Sequence, residues 1–328
     1  MLRSSFLQHR LVFVLVSSLA LLLISAPLPR VHAQRPLRGA KIVRNDGRTL
    51  EIRDSPLTFA PSHAVTIAKD QLRNQTVPAK SLTLFAPQPN ADGGNDEPSP
   101  TSIIGADERV LVSDTTVFPY SAIVELEVNF RFTSVQCSGW MIGPDMIATA
   151  GHCLYYGSFG GWAESITAYP GRNGANAPFG SFAARYWSVP NRWINKRATG
   201  MDYGVIQLDT PIGNTVGYFG YRYTDKENFF PGRAAAVGGY PGDKINEQAN
   251  TQWTMQGQIS NAQPRRLFYP MDTYAGQSGA PLYGRWNNRC NPCGFGIHTY
   301  GVGGGWTENS ATRITDRVFN FFQSASAP

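Results

Sequence analysis

Short apolar runs separated by turn-forming residues recur from Ser102 almost to the C terminus. They restrict the possible fold more than any other feature. Eight runs fit this description: SAIVELEV, SGWMIGPDMIATA, DYGVIQL, AAAVGGY, QGQIS, LFYPMDT, APLYG and GFGIHTYG. Many short strands at such spacing are typical of an all-β sandwich or barrel. Only 16% of the residues are charged, and Gly and Tyr number 33 and 14, which favours strands over helices.

The segment ITDRVFNFFQSA near the C terminus has a helical pattern instead. Thr315 can cap a helix by accepting a hydrogen bond from a backbone amide. Val318, Phe321 and Phe322 would then share one face. The sequence therefore predicts an α-helix over about residues 315–325.

Residues 1–33 have the features of a signal peptide. Arg3 and Arg10 form a basic start, the stretch from 11 to 23 is apolar, and small residues precede a cleavage site after Ala33. A membrane anchor is the alternative, but the apolar run is short for a membrane span. We therefore predict export to an oxidising, extracellular environment.

Residues 34–101 form a second leader segment, which is basic and only weakly periodic. It ends in the linker APQPNADGGNDEPSPTS at 86–102, the kind of exposed stretch that proteases cut. We predict that 34–101 is a propeptide and that 102–328 is the mature domain. The alternative is that 34–101 is retained as an accessory domain.

The net charge of +6 belongs mostly to the leader. Residues 1–101 contain 12 Lys and Arg against 7 Asp and Glu, whereas residues 102–328 contain 17 against 16. This near-neutral balance argues against nucleic-acid or membrane binding by the mature domain.

The four cysteines, Cys137, Cys153, Cys290 and Cys293, allow three disulfide pairings. The pair Cys290-Asn-Pro-Cys293 could instead be a redox or zinc motif. No His lies near it, however, and no second such motif follows. We therefore favour a local disulfide here and a second one between Cys137 and Cys153.

Two histidines, His152 and His298, occur in the predicted mature domain, and each is a potential catalytic base. A serine hydroxyl needs a base in contact with it, and the base needs an orienting carboxylate. His152 follows an apolar strand and precedes Cys153, so a disulfide at Cys153 would hold it rigidly. The alternative is a histidine that merely neighbours a structural disulfide.

Ser278 lies in the sequence Gly276-Gln277-Ser278-Gly279. The glycines permit unusual backbone angles, and the amides of Gly276 and Ser278 could stabilise an oxyanion. The alternative is a glycine-rich turn with an incidental serine. Asp202, before an apolar strand, could reach the back of the His152 ring. Asp209, at the other end of that strand, is its competitor.

Three blocks that contain these residues, CSGWMIGPDMIATAGHC, MDYGVIQL and MDTYAGQSGAPLY, resemble the catalytic blocks of the chymotrypsin-fold serine proteases. They are most similar to the bacterial glutamyl endopeptidases. SIIGADERV, GYPGDK, GIHTYG and TRITDRVF extend the resemblance to nearly all of 102–328, but not to the leader. The resemblance implies two six-stranded antiparallel β-barrels, at about 102–215 and 216–312, followed by the C-terminal helix.

The resemblance also implies roles for individual residues. His152 would be the general base, Asp202 would orient it, and Ser278 would attack the peptide carbonyl, with Gly276 and Ser278 forming the oxyanion hole. The disulfide between Cys137 and Cys153 would match the one beside the catalytic histidine in this fold.

A pocket that binds P1, the residue before the cut, is implied as well. His298 and Thr273 would recognise a glutamate side chain there. Gln277 stands where many trypsin-like enzymes have an aspartate that binds the new N terminus. The freed ammonium of Ser102 would instead lie near the specificity pocket.

The resulting prediction is a secreted, monomeric serine endopeptidase that cleaves after Glu, with Asp second. Its partners would be polypeptide substrates, with no nucleic acid, no membrane in the mature form, and no cofactor or metal. The alternatives are a protease of the same fold with another P1 preference, and an inactive secreted binding protein.

Overall fold

Strand pairing organises almost all of the chain in the computed structural model. The described residues are 39–78, 80, 82–84, 101–303 and 305–326. By its contacts the chain divides into Met1–Pro36 and Leu37–Pro328. The predicted signal peptide and most of the linker lie outside the described residues. Among the described helices, none has the length and apolar character needed to cross a membrane.

The strands follow one another at short intervals along the whole described chain. Those up to Ser102 are β1 Lys41–Arg44, β2 Thr49–Glu51, β3 Phe59–Ala60, β4 Gln75–Thr76 and β5 Thr101–Ser102. Those of the next part are β6 Val110–Leu111, β7 Ile123–Asn129, β8 Ser134–Met141, β9 Met146–Thr149, β10 Tyr155–Tyr156, β11 Gly161–Trp162, β12 Ser165–Pro170, β13 Asn176–Ala177, β14 Phe182–Pro190 and β15 Gly204–Leu208. Those of the last part are β16 Gly220–Arg222, β17 Ala234–Gly239, β18 Trp253–Gln258, β19 Asn261–Ala262, β20 Arg266–Tyr269, β21 Thr273–Tyr274, β22 Pro281–Gly284, β23 Cys293–Tyr300 and β24 Asn309–Arg313. The α-helices are α1 Asn191–Lys196, α2 Gly213–Val216 and α3 Asp316–Ala325.

The first sheet closes into a six-stranded antiparallel barrel. Its strand order is β12-β7-β8-β9-β15-β14, and the additional pairing of β12 with β14 completes the circle. Leu126, Ile147 and Ile206 on three of these strands are fully buried. Closure satisfies the backbone hydrogen bonds of both end strands, so the barrel can hold a site rigidly at its rim.

The second sheet is a half-barrel at the place where the family resemblance implies the second six-stranded barrel. Its order is β19-β20-β24-β23-β22-β17-β18-β6, and no pairing among the described strands joins the two ends. The end strands β19 and β6 are two residues long, so they offer few ladder hydrogen bonds for closure. The strand β21 pairs with β5 instead of joining the sheet.

The C-terminal helix α3 forms where the sequence predicts it. Thr315 caps it by accepting a hydrogen bond from the Val318 amide at 3.4 Å. The ring of Phe321 packs edge-on against Tyr203, with ring centroids 5.0 Å apart. Phe322 packs in the same way against Trp140, at 6.5 Å. The helix therefore covers side chains of the first barrel.

The described part of the predicted leader, residues 39–78, 80 and 82–84, runs over both sheets. The strand β1 pairs with β14 of the first barrel, and β3 pairs with β16 of the second sheet. Further along, β4 pairs with β13. Ile42 of β1 is fully buried. Sequence periodicity did not indicate these strands, because they form by pairing with distant parts of the chain.

Candidate active site

His152 and Asp202 are in direct contact in the interior of the protein. The Asp202 carboxylate accepts a hydrogen bond from the His152 backbone amide at 2.9 Å and contacts the ring Nδ1 at 2.8 Å. Both side chains are buried. The two bonds fix both the backbone and the ring of His152, and a carboxylate at Nδ1 favours a proton on that nitrogen. Asp209, the alternative partner, is exposed and lies 3.3 Å from Arg185.

Ser278 lies beside the residues that flank His152. Its carbonyl accepts a hydrogen bond from the Ser138 amide at 2.8 Å and lies 3.7 Å from the Cys153 sulfur. The next residue, Gly279, has a φ of +90° and packs so closely on Ser138 and Ala150 that no side chain would fit. The glycine after Ser278 thus allows the serine loop to approach the end of the strand that leads to His152.

The backbone amides of Gly276 and Ser278 donate to no acceptor among the described residues. The amide of Gln277 between them donates to the Tyr274 carbonyl at 3.0 Å, and the next amide, of Gly279, donates to His298 at 2.8 Å. Two uncommitted amides in one buried loop are the donor arrangement that stabilises a tetrahedral oxyanion.

Gly276 reaches this arrangement through a conformation that favours glycine. Its φ is +99°, and a Cβ at this position would lie 2.6 Å from the Tyr240 carbonyl oxygen. Its carbonyl accepts a hydrogen bond from the Ser138 hydroxyl at 2.9 Å. The turn at Gly276 is therefore fixed by Ser138 of β8 and by Tyr240, the residue that follows β17.

His298 lies in β23, next to the serine loop. Its backbone amide donates to Ala280 and its carbonyl accepts from Gly279, both at 2.8 Å. The ring Nδ1 is 2.6 Å from the Tyr269 hydroxyl. Burial, together with the positive charge of Arg266, lowers the pKa of His298 to about 3. The imidazole is therefore neutral at pH 7 before any ligand enters.

Thr273 and Ser102 face each other on the short strands β21 and β5. The Thr273 hydroxyl is completely buried and has no hydrogen-bond partner among the described residues. A buried hydroxyl without a partner is costly, so this one is a natural donor for a ligand. Ser102 is 3% exposed and packs against Gly301, three residues after His298.

Two residues that the sequence did not single out hold this pocket together. The buried Asp272 carboxylate accepts hydrogen bonds from the amides of Ile104 at 2.7 Å and Glu108 at 2.9 Å. The Asn309 amide group donates to the carbonyls of Ser102 and Met271 at 2.7 and 2.8 Å. Both tie the segment after residue 101 to the pocket wall. The sequence contained one possible signal for these two residues, namely that Asp272 is an acidic residue immediately before Thr273.

Gln277 makes hydrogen bonds through its side-chain oxygen, whereas an aspartate at this position in many trypsin-like enzymes binds the new N terminus. Its side-chain oxygen accepts from the Tyr274 amide at 2.9 Å and from Arg109 at 3.5 Å. Arg109 forms ion pairs with Asp107 at 2.8 Å and Asp243 at 2.5 Å. The loop before Ser278 is thereby linked to the segment that follows Ser102.

Both predicted cysteine pairs are disulfide-bonded, namely Cys137 with Cys153 and Cys290 with Cys293. Among the described residues, one group of three possible metal ligands occurs, formed by Cys137, His152 and Cys153. Its two sulfur atoms are joined to each other, which leaves one ring as a ligand. A catalytic zinc needs about three protein ligands, so this donor set does not fit one.

Comparison with known proteins gives consistent matches over the same part of the chain. Residues 112–321 match the family model described as Trypsin. The chain is 46% identical over 222 residues to the glutamyl endopeptidase of Bacillus licheniformis, covering 67% of each protein. It is 38% identical over 245 residues to a Bacillus subtilis protein named extracellular metalloprotease, covering 74% of this chain and 75% of that one.

The solved structures include a similar one, of a Glu endopeptidase in complex with MPD. It has a TM-score of 0.62 and 32% identity, and the match covers 69% of this chain and all of that chain.

Proposed function

The chain belongs to the trypsin family and is a serine endopeptidase, and we propose that it cleaves polypeptides after glutamate, with aspartate second. The catalytic part of this proposal rests on the backbone amides of Gly276 and Ser278, which have no acceptor among the described residues. The buried Thr273 hydroxyl, which has no hydrogen-bond partner among the described residues, supports the choice of substrate. The similarity to a glutamyl endopeptidase at 46% identity supports it as well.

The proposed mechanism follows the roles of a serine protease triad. His152 takes the proton of the Ser278 hydroxyl while the serine oxygen attacks the peptide carbonyl carbon. The amides of Gly276 and Ser278 bind the oxyanion, and His152 passes its proton to the amine that leaves. Water then attacks the acyl carbon while His152 takes its proton, and His152 returns that proton to the Ser278 oxygen as the acyl group leaves as a carboxylic acid. Asp202 keeps the ring in the required tautomer throughout.

Glutamate recognition is assigned to His298 and Thr273. The Tyr269 hydroxyl at Nδ1 orients the imidazole, and the Thr273 hydroxyl supplies a second donor. A carboxylate that leaves water needs such donors, because burying it without hydrogen bonds is very unfavourable. Ser102 would add its ammonium once the leader has been removed.

The preference can be tested with peptides that differ only at P1, carrying Glu, Asp, Gln, Lys or Phe, and with Ser278→Ala as the blank. We expect Glu to exceed its neutral isostere Gln in kcat/KM. His298→Ala should reduce that ratio by about 10- to 100-fold, because a buried carboxylate loses its donor. Faster cutting after Lys or Phe would instead indicate an endopeptidase with another P1 preference.

The enzyme for these assays must first be processed, and its N terminus should be sequenced. A start well away from Ser102 would remove that residue from the proposed site. The predictions of secretion and of a monomeric mature form belong to the same proposal, and one of the relatives is named as extracellular.

Residues 34–101 are proposed to be a propeptide that binds the protease domain through a buried charge cluster. Glu125, Glu127 and Arg172 are all buried, with Arg172 at 2.8 and 3.2 Å from the two carboxylates. Lys80 of the leader lies 2.5 Å from Glu127. It adds a second positive charge opposite the two acids. The carbonyls of Val77 and Pro78 also accept hydrogen bonds from Arg172.

Lys80→Met should weaken the association between leader and protease domain. The Lys80 side chain is 55% exposed, so solvent screens the pair, and we expect a loss of only about 10-fold in affinity. The Ser278→Ala protein would be nicked within the linker, and retention of the leader would be followed by gel filtration. Lys69→Met is the matched control, because Lys69 is exposed and has no ion pair with a described residue. Equal retention of both variants would contradict this role of Lys80.

A further inference from the structure

A buried arginine lies one strand behind the proposed specificity pocket. Arg266 begins β20 and is 4% exposed. It stands opposite Thr312 in β24, and the neighbouring Ala311 of that strand stands opposite His298. Three residues further along β20, Tyr269 contacts the His298 ring. One strand thus carries both the arginine and the residue that orients the pocket histidine.

The guanidinium of Arg266 is bound only by uncharged groups. It donates to the Thr199 carbonyl at 3.2 Å and to the hydroxyls of Thr299, Thr312 and Ser310 at 2.8, 3.2 and 2.5 Å. Its Nε is buried without an acceptor, and no carboxylate among the described residues lies within ion-pair distance. Buried arginines are normally paired with a carboxylate. Arg266 departs from this rule, because it has no direct counterion among the described residues.

Two aromatic rings shield the same group from water. The guanidinium carbon lies 4.7 Å from the centre of the Tyr300 ring and 5.1 Å from that of Trp306. Such contacts stabilise a cation without neutralising it. Burial lowers the pKa of Arg266 to about 10, and the negative charge of Asp202 is among the electrostatic effects that oppose this shift. Arg266 is therefore still charged at pH 7.

A buried carboxylate requires hydrogen-bond donors and a positive charge. The pocket supplies the donors, and Arg266 supplies a charge. His298 is neutral, because burial and the nearby Arg266 both disfavour its protonated form. A neutral ring can donate a hydrogen bond, but it cannot balance a full negative charge. Asp202 is the acid that acts electrostatically on Arg266, but its carboxylate contacts His152 and forms no ion pair with the guanidinium. The positive charge close to the pocket thus has no direct counterion among the described residues until a substrate arrives.

On the basis of the proposed preference for glutamate, we propose that Arg266 is the counter-charge for the substrate's P1 carboxylate. It acts through the field across β24 rather than by contact, so it is a positioning residue for specificity. His298, oriented by Tyr269, gives the direction of binding, and Arg266 adds a fixed positive charge to the one that the Ser102 ammonium would supply once the leader is removed. In a protein interior of low effective dielectric, such a charge acts over more than one strand spacing.

The test compares kcat/KM for two peptides that differ only by Glu or Gln at P1. Arg266→Met removes the charge with little change in volume, and the processed enzyme is used throughout. We expect the Glu-to-Gln ratio to fall by about 10- to 100-fold, because the variant loses a buried positive charge one strand away from the pocket. Arg289→Met, which removes an exposed arginine from the loop after β22, should leave the ratio unchanged.

Arg266→Lys provides a readout that a purely structural role would not produce. A buried lysine has a lowered pKa, unlike arginine, and loses its charge as the pH rises. The ratio for this variant should be near that of the parent enzyme at pH 6 and fall towards that of Arg266→Met by pH 9. The parent ratio should stay flat, because the substrate carboxylate is ionised throughout this range and any effect of pH on the chemical step is common to both peptides.

The possible outcomes separate this inference from the proposed function. A parent enzyme that prefers Glu, with an unchanged ratio in Arg266→Met, overturns the role of Arg266 and leaves the glutamyl preference standing. An equal loss for both peptides assigns Arg266 to support of Asp202 or of the sheet, and also overturns it. No Glu preference in the parent overturns both proposals. If Arg266→Met does not fold, a pH-independent ratio in Arg266→Lys overturns the inference.

Discussion

Ser278→Ala should lower kcat for peptide hydrolysis by about 10⁶-fold, the loss typical of a nucleophile acting within a triad. Its fold should persist, because the contacts of Ser278 with Ser138 and Cys153 are made by its carbonyl oxygen. The measurements are steady-state cleavage of a P1 Glu peptide, labelling by a fluorophosphonate, and the melting temperature. We expect activity and labelling to be lost while the melting temperature stays close to that of the parent protein.

Ser260→Ala is the matched control for this variant. Ser260 is exposed and contacts Glu308, so its loss should change neither rate nor labelling. Residual activity of Ser278→Ala that a chelator removes would move catalysis to a metal site, in line with the name of the extracellular metalloprotease of Bacillus subtilis. Failure of the parent protein to react with the fluorophosphonate, in correctly processed material, would favour a binding protein.

The sequence predicts well those strands that carry their own pattern. The run DYGVIQL becomes Gly204–Leu208, and AAAVGGY becomes Ala234–Gly239, because continuous apolar runs between turn residues indicate buried strands. Phe182–Pro190 escaped detection because FAARYWSVP mixes charged, aromatic and small residues without alternation. Most of the short strands in the predicted leader pair with distant parts of the chain, and no local pattern encodes that pairing.

The candidate site also combines residues that the sequence predicts with residues that no local pattern indicates. The order of His152, Asp202 and Ser278 pointed to a triad before any contact was known, and the roles of the three residues stay predictions until the variants are measured. The support around the pocket was not predictable. Asp272 and Asn309 act through partners far away in the chain. Arg266 left one trace in the sequence, a charge at the start of the apolar run RLFY.

Asp202→Asn should reduce kcat by about 10⁴-fold, even though the side chain keeps its shape. Asp202 accepts two bonds from His152, one from the backbone amide and one at the ring Nδ1. An asparagine can keep the first with its oxygen only by presenting its NH₂ group to Nδ1. The ring must then carry its proton on Nε2, and it can no longer accept the serine proton.

Asp209→Asn tests whether any acid on this strand would have the same effect. Asp209 lies just beyond the other end of β15, and its side chain is 71% exposed beside Arg185, so we expect less than about a twofold change. The double variant Ser278→Ala/Asp202→Asn should be no slower than Ser278→Ala alone, because residues that act as one unit are not additive. Additive losses in the double variant, or a rate for Asp202→Asn near that of the parent, would mean that Asp202 stabilises the fold around His152 without taking part in proton transfer.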